Sequence, residues 1–301
     1  MMINQILPNQ IYIKRGQSFK GSALLSKKVV DTSYKSIKTD SADYIKYCYS
    51  ILKSWCRNVL EVNVESERLL NIVKSDEPHI FIMNHTFKPM KDINAAKFFN
   101  ALLYREYIYN GKAETCPRSK VLANKNILDA QTDKGKLMEW LGVKSINAHV
   151  LKSDKEKNKA VITDLIKELG SGKINLFLFP EGALCAIPFL PLEYKFQPGV
   201  SSIIKKVLEI RDNIKVVPLG FAHDKKVSSA HIGESIDFYK NGCGYEARQG
   251  DNIIKLTENG VPVEYNNVVP YISGVLVNKL KEASKYAKQD LKNSNEKVYT
   301  L

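Results

Sequence analysis

The stretch Ile174-Asn175-Leu176-Phe177-Leu178-Phe179-Pro180-Glu181-Gly182 decides how the rest of the chain is read. A short, mainly apolar run suits a strand buried on both faces, and such strands belong to covered parallel sheets. Pro180 stops the run, and a carboxylate and a glycine follow at once. In open α/β sheets, sites collect outside the carboxyl ends of the strands. Glu181 stands at such an end, and the question is what a carboxylate does there.

Working outward, short apolar runs alternate with helical patterns. Strands are expected at "HIFIM" (79–83), "KVLAN" (120–124), "VKSINAHVL" (143–151, extended), "INLFLF" (174–179) and "IKVVPLGFA" (214–222). Helices are expected at "DINAAKFFNALLY" (92–104), "KGKLMEWLG" (134–142), "KEKNKAVITDLIKELGSG" (155–172), "GVSSIIKKVLEIRD" (199–212) and "YISGVLVNKLKEASKYAKQDLK" (271–292). The 155–172 helix ends at glycines, as helix C-termini prefer. Residues 223–270, richer in Gly, Asn and charge, read as loops plus one short strand at 230–238. This alternation predicts an α/β fold: a single domain with a largely parallel central sheet covered by helices. No internal repeat or interdomain linker interrupts it.

Ahead of that domain, residues 1–42 are polar with weak periodicity and read as an N-terminal extension. The domain, 43–301, then opens on an amphipathic helix over 43–60. Ile45, Cys48, Leu52, Cys56 and Val59 recur at helical spacing, with Lys46, Lys53 and Arg57 on other faces. Such a helix suits either the domain's own core or a lipid interface.

Charge narrows the partners. Against 32 Asp+Glu stand 45 Lys+Arg, a formal net charge of +13 over 301 residues. That surplus favours a phospholipid surface, a nucleic acid or a phosphorylated small molecule. No zinc-finger spacing or RNA-recognition aromatic block accompanies it, which makes nucleic acid the least supported of the three. Five scattered cysteines without a CxxC pair fit reduced thiols, and the first residues lack the apolar stretch of a signal peptide. With no run of ~18 apolar residues either, the expectation is a cytoplasmic protein, peripheral on the inner face of a membrane.

Three strand ends carry candidate chemistry. After "HIFIM" come Asn84 and His85, with Asp92 seven residues past the histidine; Glu181-Gly182 follow the 174–179 strand; Pro218 interrupts "VVPLGF". A histidine titrating near pH 6.5 is suited to general-base work. A carboxylate on its other nitrogen fixes the tautomer and stabilises the imidazolium. Asp92 is the nearest candidate, and it equally suits a helix N-cap; the two roles can coexist. Glu181 and the backbone N–H groups at Gly182 could hold a hydroxyl-bearing substrate or an anion, or simply form a solvated turn. His79, His149, His223 and His231 read as structural or solvent-facing.

In this order, "MNHTFKPMKD", "LFPEGALC" and "VVPLGF" resemble the ordered blocks of the glycerolipid (lysophosphatidic-acid and glycerol-phosphate) acyltransferase superfamily. "VLANKNIL", "YKFQPGV" (194–200) and "HIGESID" echo that family in position, so the likeness runs from about residue 43 to 292. The resemblance implies an acyltransferase-like fold and O-acyl transfer from acyl-CoA or acyl-carrier protein, as substrate, to the hydroxyl of a lipid or lysolipid. It requires no metal and no other cofactor. His85 would be the general base and Asp92 its orienting carboxylate. Asn84, Glu181, Gly182 and Lys195 would form the acceptor site, and Pro218 part of the acyl-donor wall.

The chain departs from the family pattern in three places. The family's aspartate position is Met90 here, and Asp92 lies two residues further on. Ala183-Leu184-Cys185 replace the third block's Thr-Arg-Ser, and the second block's arginine is absent near Ala148, His149 and Lys152. Arginine is the usual bidentate partner of phosphate. Its loss argues for an acceptor other than glycerol-3-phosphate or lysophosphatidic acid, such as another lysolipid or an amino-acid lipid. The alternative is a non-catalytic lipid- or acyl-binding homologue that kept the fold. The test between them is whether the Asp92 carboxylate reaches the His85 ring.

Overall fold

The structure is a computed structural model. It describes residues 66–75, 77–86, 92, 96, 99, 103, 106–107, 110–112, 115–124, 144–146, 155–181, 192, 196–223, 228–241, 244–258, 261–262 and 267–296. The expected N-terminal extension, the 43–60 helix and the 134–142 helix lie outside these residues, as do Gly182 and Lys195.

Among the described residues, nine strands form one mixed sheet. Its parallel part runs in the order β3 (Lys144–Ile146), β2 (Arg118–Asn124), β4 (Ile174–Leu178), β1 (His79–Met83), β5 (Asn213–His223). Beyond β5 the sheet turns antiparallel. β6 (Ser228–Ile232) and β7 (Ile236–Asn241) both pair with β5, and β8 (Gly244–Gln249) and β9 (Asn252–Lys255) extend it. A small separate ladder joins β10 (Thr257–Glu258) to β11 (Val261–Pro262). The parallel α/β half therefore matches the sequence reading, whereas 223–270 is not mainly loop. It builds the antiparallel half, and the expected single strand at 230–238 is two strands.

Pro218 explains that split. Leu219 pairs with Ile232 and Val216 with Ile236, so two residues of β5 oppose three of the partner, a bulge. The Pro218 carbonyl accepts from Gly233 N–H at 2.8 Å. The missing N–H of Pro218 faces the same side, where the ladder cannot continue.

Helices cover both faces. On one, α1 (Ser66–Lys74) and the helical residues 92, 96, 99, 103 and 107 pack on Phe81, Met83, Phe177, Val217, Leu219 and Phe221. The Arg68 guanidinium ties α1 to the Ile232 carbonyl at 2.6 Å. On the other, α2 (Lys155–Gly170), α3 (Gly199–Val207) and α4 (Val268–Glu296) pack on Ile80, Ile82, Leu176, Leu178, Ile214 and Val216. The two sets alternate along β1, β4 and β5, as the period-two pleat requires. α4 lies so close to β5 that a Cβ on Gly220 would stand 2.0 Å from the Ala283 carbonyl oxygen.

A polar row crosses the sheet near the start of the central strands. Ser119, Asn175, His79, Lys215, Asp237 and Arg248 follow one another from β2 to β8. His79 is buried against Phe81, and its N–H donates to Asn175 Oδ1 at 2.9 Å. Burial first, and then the Lys215 ammonium, push the His79 imidazole down to about 3.

Candidate active site

Strand alternation assembles the site. Phe81 and Met83 of β1 face the α1 side, and His85 is the next residue in that phase just past the strand end. Phe177 brings Phe179 to the same face from β4, and Leu219 and Phe221 bring His223 from β5. Three neighbouring strand ends thus deliver two histidines and an aromatic ring to one place.

Asp92 comes from the covering helix. Ala96, Phe99, Leu103 and Tyr107 are its buried stripe, and Asp92 lies one turn ahead of Ala96 on that stripe. Packing of that stripe on the sheet sets where the carboxylate arrives. Asp92 is itself helical and fully buried, so it does not stand outside the helix as an N-cap does.

The contact on which the sequence argument turned is made. His85 Nδ1 lies 3.1 Å from Asp92 Oδ2. Thr86 N–H donates to the same oxygen at 3.0 Å, while the Thr86 hydroxyl donates to Oδ1. His223 Nε2 lies 3.2 Å from Oδ1, with both side chains fully buried. Each carboxylate oxygen therefore accepts twice. Burial alone would raise the Asp92 pKa, but the bonds from His223, His85 and Thr86 outweigh it and pull it down to about 2. The carboxylate is ionised and, being an acceptor only, takes N–H from both rings. His85 then carries its proton on Nδ1, leaving the Nε2 lone pair as a base.

The His85 ring is 15% exposed, open enough to meet a substrate. It stacks on Phe179 with centroids 4.2 Å apart and planes at 11°. That face shields one side of the ring from water.

The residues flanking His85 fasten its backbone. Glu181, buried after β4, accepts the His85 N–H on Oε1 at 2.6 Å. Asn84 reaches the other way: its Oδ1 accepts Phe221 N–H at 2.6 Å and its Nδ2 donates to the Phe221 carbonyl at 3.0 Å. Beyond the last paired residues, side chains thus continue the lattice on both sides of β1.

Of the expected site residues, His85, Asp92, Glu181 and Asn84 come together, and Gly182 and Lys195 lie outside the described residues. Pro218 does not join them. It projects to the opposite face of β5, in the phase of Gly220 under α4 and near Gly233. His223, expected to be structural or solvent-facing, is buried in the cluster, with Nε2 on Asp92 Oδ1. Its alternation with Leu219 and Phe221 at a strand end was the available signal. Among the described residues, no group of three or more His, Cys, Asp or Glu side chains is arranged to hold a metal ion. Compared with protein-family models and with curated proteins, the chain matches none.

Proposed function

We propose that the protein is an O-acyltransferase that moves a fatty acyl group from acyl-CoA or acyl-carrier protein to a hydroxyl of a lipid or lysolipid. The observation that carries this reading is the 3.1 Å contact between His85 Nδ1 and Asp92, made although their spacing is two residues longer than in the family the chain resembles. That contact favours the catalytic reading over a non-catalytic lipid- or acyl-binding role.

The chemistry follows from the tautomer. His85 Nε2 takes the acceptor's hydroxyl proton as its oxygen attacks the thioester carbonyl carbon. The imidazolium that forms is stabilised by ionised Asp92 on one edge. Collapse of the tetrahedral intermediate breaks the C–S bond. The same proton then passes from Nε2 to the departing thiolate, so the products are an ester and a free thiol. Glu181 and Asn84 enter as the residues that fix the His85 backbone, and through it the edge of the acceptor site. The absence of arginine at 183–185 supports an acceptor without a phosphate monoester. The +13 charge supports docking on an anionic membrane surface. No helix among the described residues is long and apolar enough to cross a membrane.

The test is acyl transfer by the purified full chain, read by mass spectrometry. Acyl-CoA and acyl-carrier protein are offered with a panel of lysolipids, amino-acid lipids and glycerol-3-phosphate. Product that disappears with His85→Ala is the expected result and names the acceptor. Absence of product from every pair, with lipid still bound, overturns the proposal in favour of the binding protein.

A further inference from the structure

We infer that His223 is a positioning residue of this site, an imidazole that holds the Asp92 carboxylate so that one oxygen stays aimed at His85. The inference relies on the acyl-transfer reading only for what the site accomplishes; the arrangement stands on geometry.

A carboxylate can turn about its last torsion unless both oxygens are held. Asp92 Oδ2 is held by His85 Nδ1 and by Thr86 N–H, and Oδ1 by the Thr86 hydroxyl. Thr86 adjoins His85, so all three contacts come from the segment that the carboxylate must orient. His223 differs because it belongs to β5, 131 residues away, and fixes Oδ1 to the sheet at 3.2 Å. β5 is paired to β1 on one side and to β6 and β7 on the other. The orientation of Asp92 is thereby referred to the rigid sheet.

The kind of donor matters too. A lysine or arginine there would hold Oδ1 equally well and cancel the charge that stabilises protonated His85. An imidazole can supply the hydrogen bond through one N–H without a fixed positive charge. The two rings must then be opposite tautomers: Nδ1–H on His85 and Nε2–H on His223, each donating to one carboxylate.

The experiment pairs His223→Ala with His223→Gln in the full chain, because the glutamine amide nitrogen can stand near the position of Nε2. Acyl-transfer kinetics should show kcat reduced roughly 10- to 100-fold by alanine, within the range for disturbed positioning, with KM changed less than about twofold. Glutamine should restore most of the loss. Wild-type kcat in both variants, or equal loss in both, overturns the inference. Nitrogen-15 spectra of the histidine rings supply a readout that needs no turnover. The wild type should show His85 protonated at Nδ1 and His223 at Nε2; His85 should keep its tautomer with glutamine and become a mixture with alanine. A wild-type His85 that is already a mixture overturns the inference. The paired tautomers in a protein that transfers no acyl group would remove the proposed activity and leave His223 in its role. Turnover indifferent to both variants would do the reverse.

Discussion

A buried carboxylate that accepts four hydrogen bonds loses more than charge when it becomes an amide. Asp92→Asn would turn an N–H₂ toward a histidine that also donates, forcing one ring into its other tautomer. If that ring is His85, Nε2 carries the proton and the base is gone. The expected loss in kcat is roughly three to four orders of magnitude, as for other His–Asp pairs, measurable in the acyl-transfer assay. The neighbours answer to stability instead. Asn84→Ala strands the buried N–H and C=O of Phe221, and unpaired groups of this kind cost about 1–3 kcal/mol each. Glu181→Gln still presents an oxygen to the His85 N–H and should cost less than Glu181→Ala, which leaves it unpaired. Urea unfolding of the variants orders these effects, and the proposal for Glu181 fails at this scale if glutamine and alanine are equally damaging.

Among the described elements, β5 and α4 approach closely at Gly220. Gly220→Ala would drive a methyl group into the backbone at Ala283 and Ser284, which cannot step aside as a side chain can. The expected cost is about 3 kcal/mol, the upper part of the overpacking range. Gly199→Ala, with open space around it at the start of α3, should be neutral or stabilising by up to about 1 kcal/mol. Thermal melts of the two variants make the comparison. Elements of this kind divide by how visible they were in the sequence. β1, β4 and β5 are apolar runs closed by Pro, Asn or His, and they were legible because burial on both faces leaves no other composition. β7 and β8 were not. They interleave Asp237, Tyr239, Glu246 and Arg248 with Phe238, Tyr245 and Ala247. Their glycines made the alternation look like loop. α1 was missed as well. At the site, the ordered motifs and the strand ends pointed to His85 and Glu181, and nearness in sequence pointed to Asp92. The bond from His223 to Asp92 joins residues 131 positions apart, and no local pattern announces such a partner.

For the whole molecule, the polar row at the other end of the sheet sets the response to acid. His79, at about 3 when folded, titrates near 6.5 when unfolded. Between those values the unfolded chain binds a proton that the folded one refuses. Stability is therefore complete above about pH 6.5 and falls as pH drops toward 3, with a slope approaching ~1.4 kcal/mol per pH unit. Asp92, folded at about 2 against 3.8, adds a loss of the same sign below about pH 3.8. Asp237, raised by burial, acts in the opposite sense: its protonation relieves a cost present at higher pH. Urea midpoints at pH 7.5, 6 and 5 should fall in that order, and His79→Gln should flatten the decline. An equal decline in the variant would remove His79 as its source.

β1 carries a consequence of another kind. All five of its residues are buried, β4 and β5 flank it, and Asn84 and Glu181 extend its attachments past the last paired residue. Its amides have no route to solvent short of global unfolding. In deuterium oxide, the N–H groups of Ile80 to Met83 should be among the last to exchange, and the His85 N–H, capped by a carboxylate, should lag far behind an ordinary loop amide. Its exchange rate then becomes a gauge of how firmly the base is held, readable residue by residue before any substrate is known.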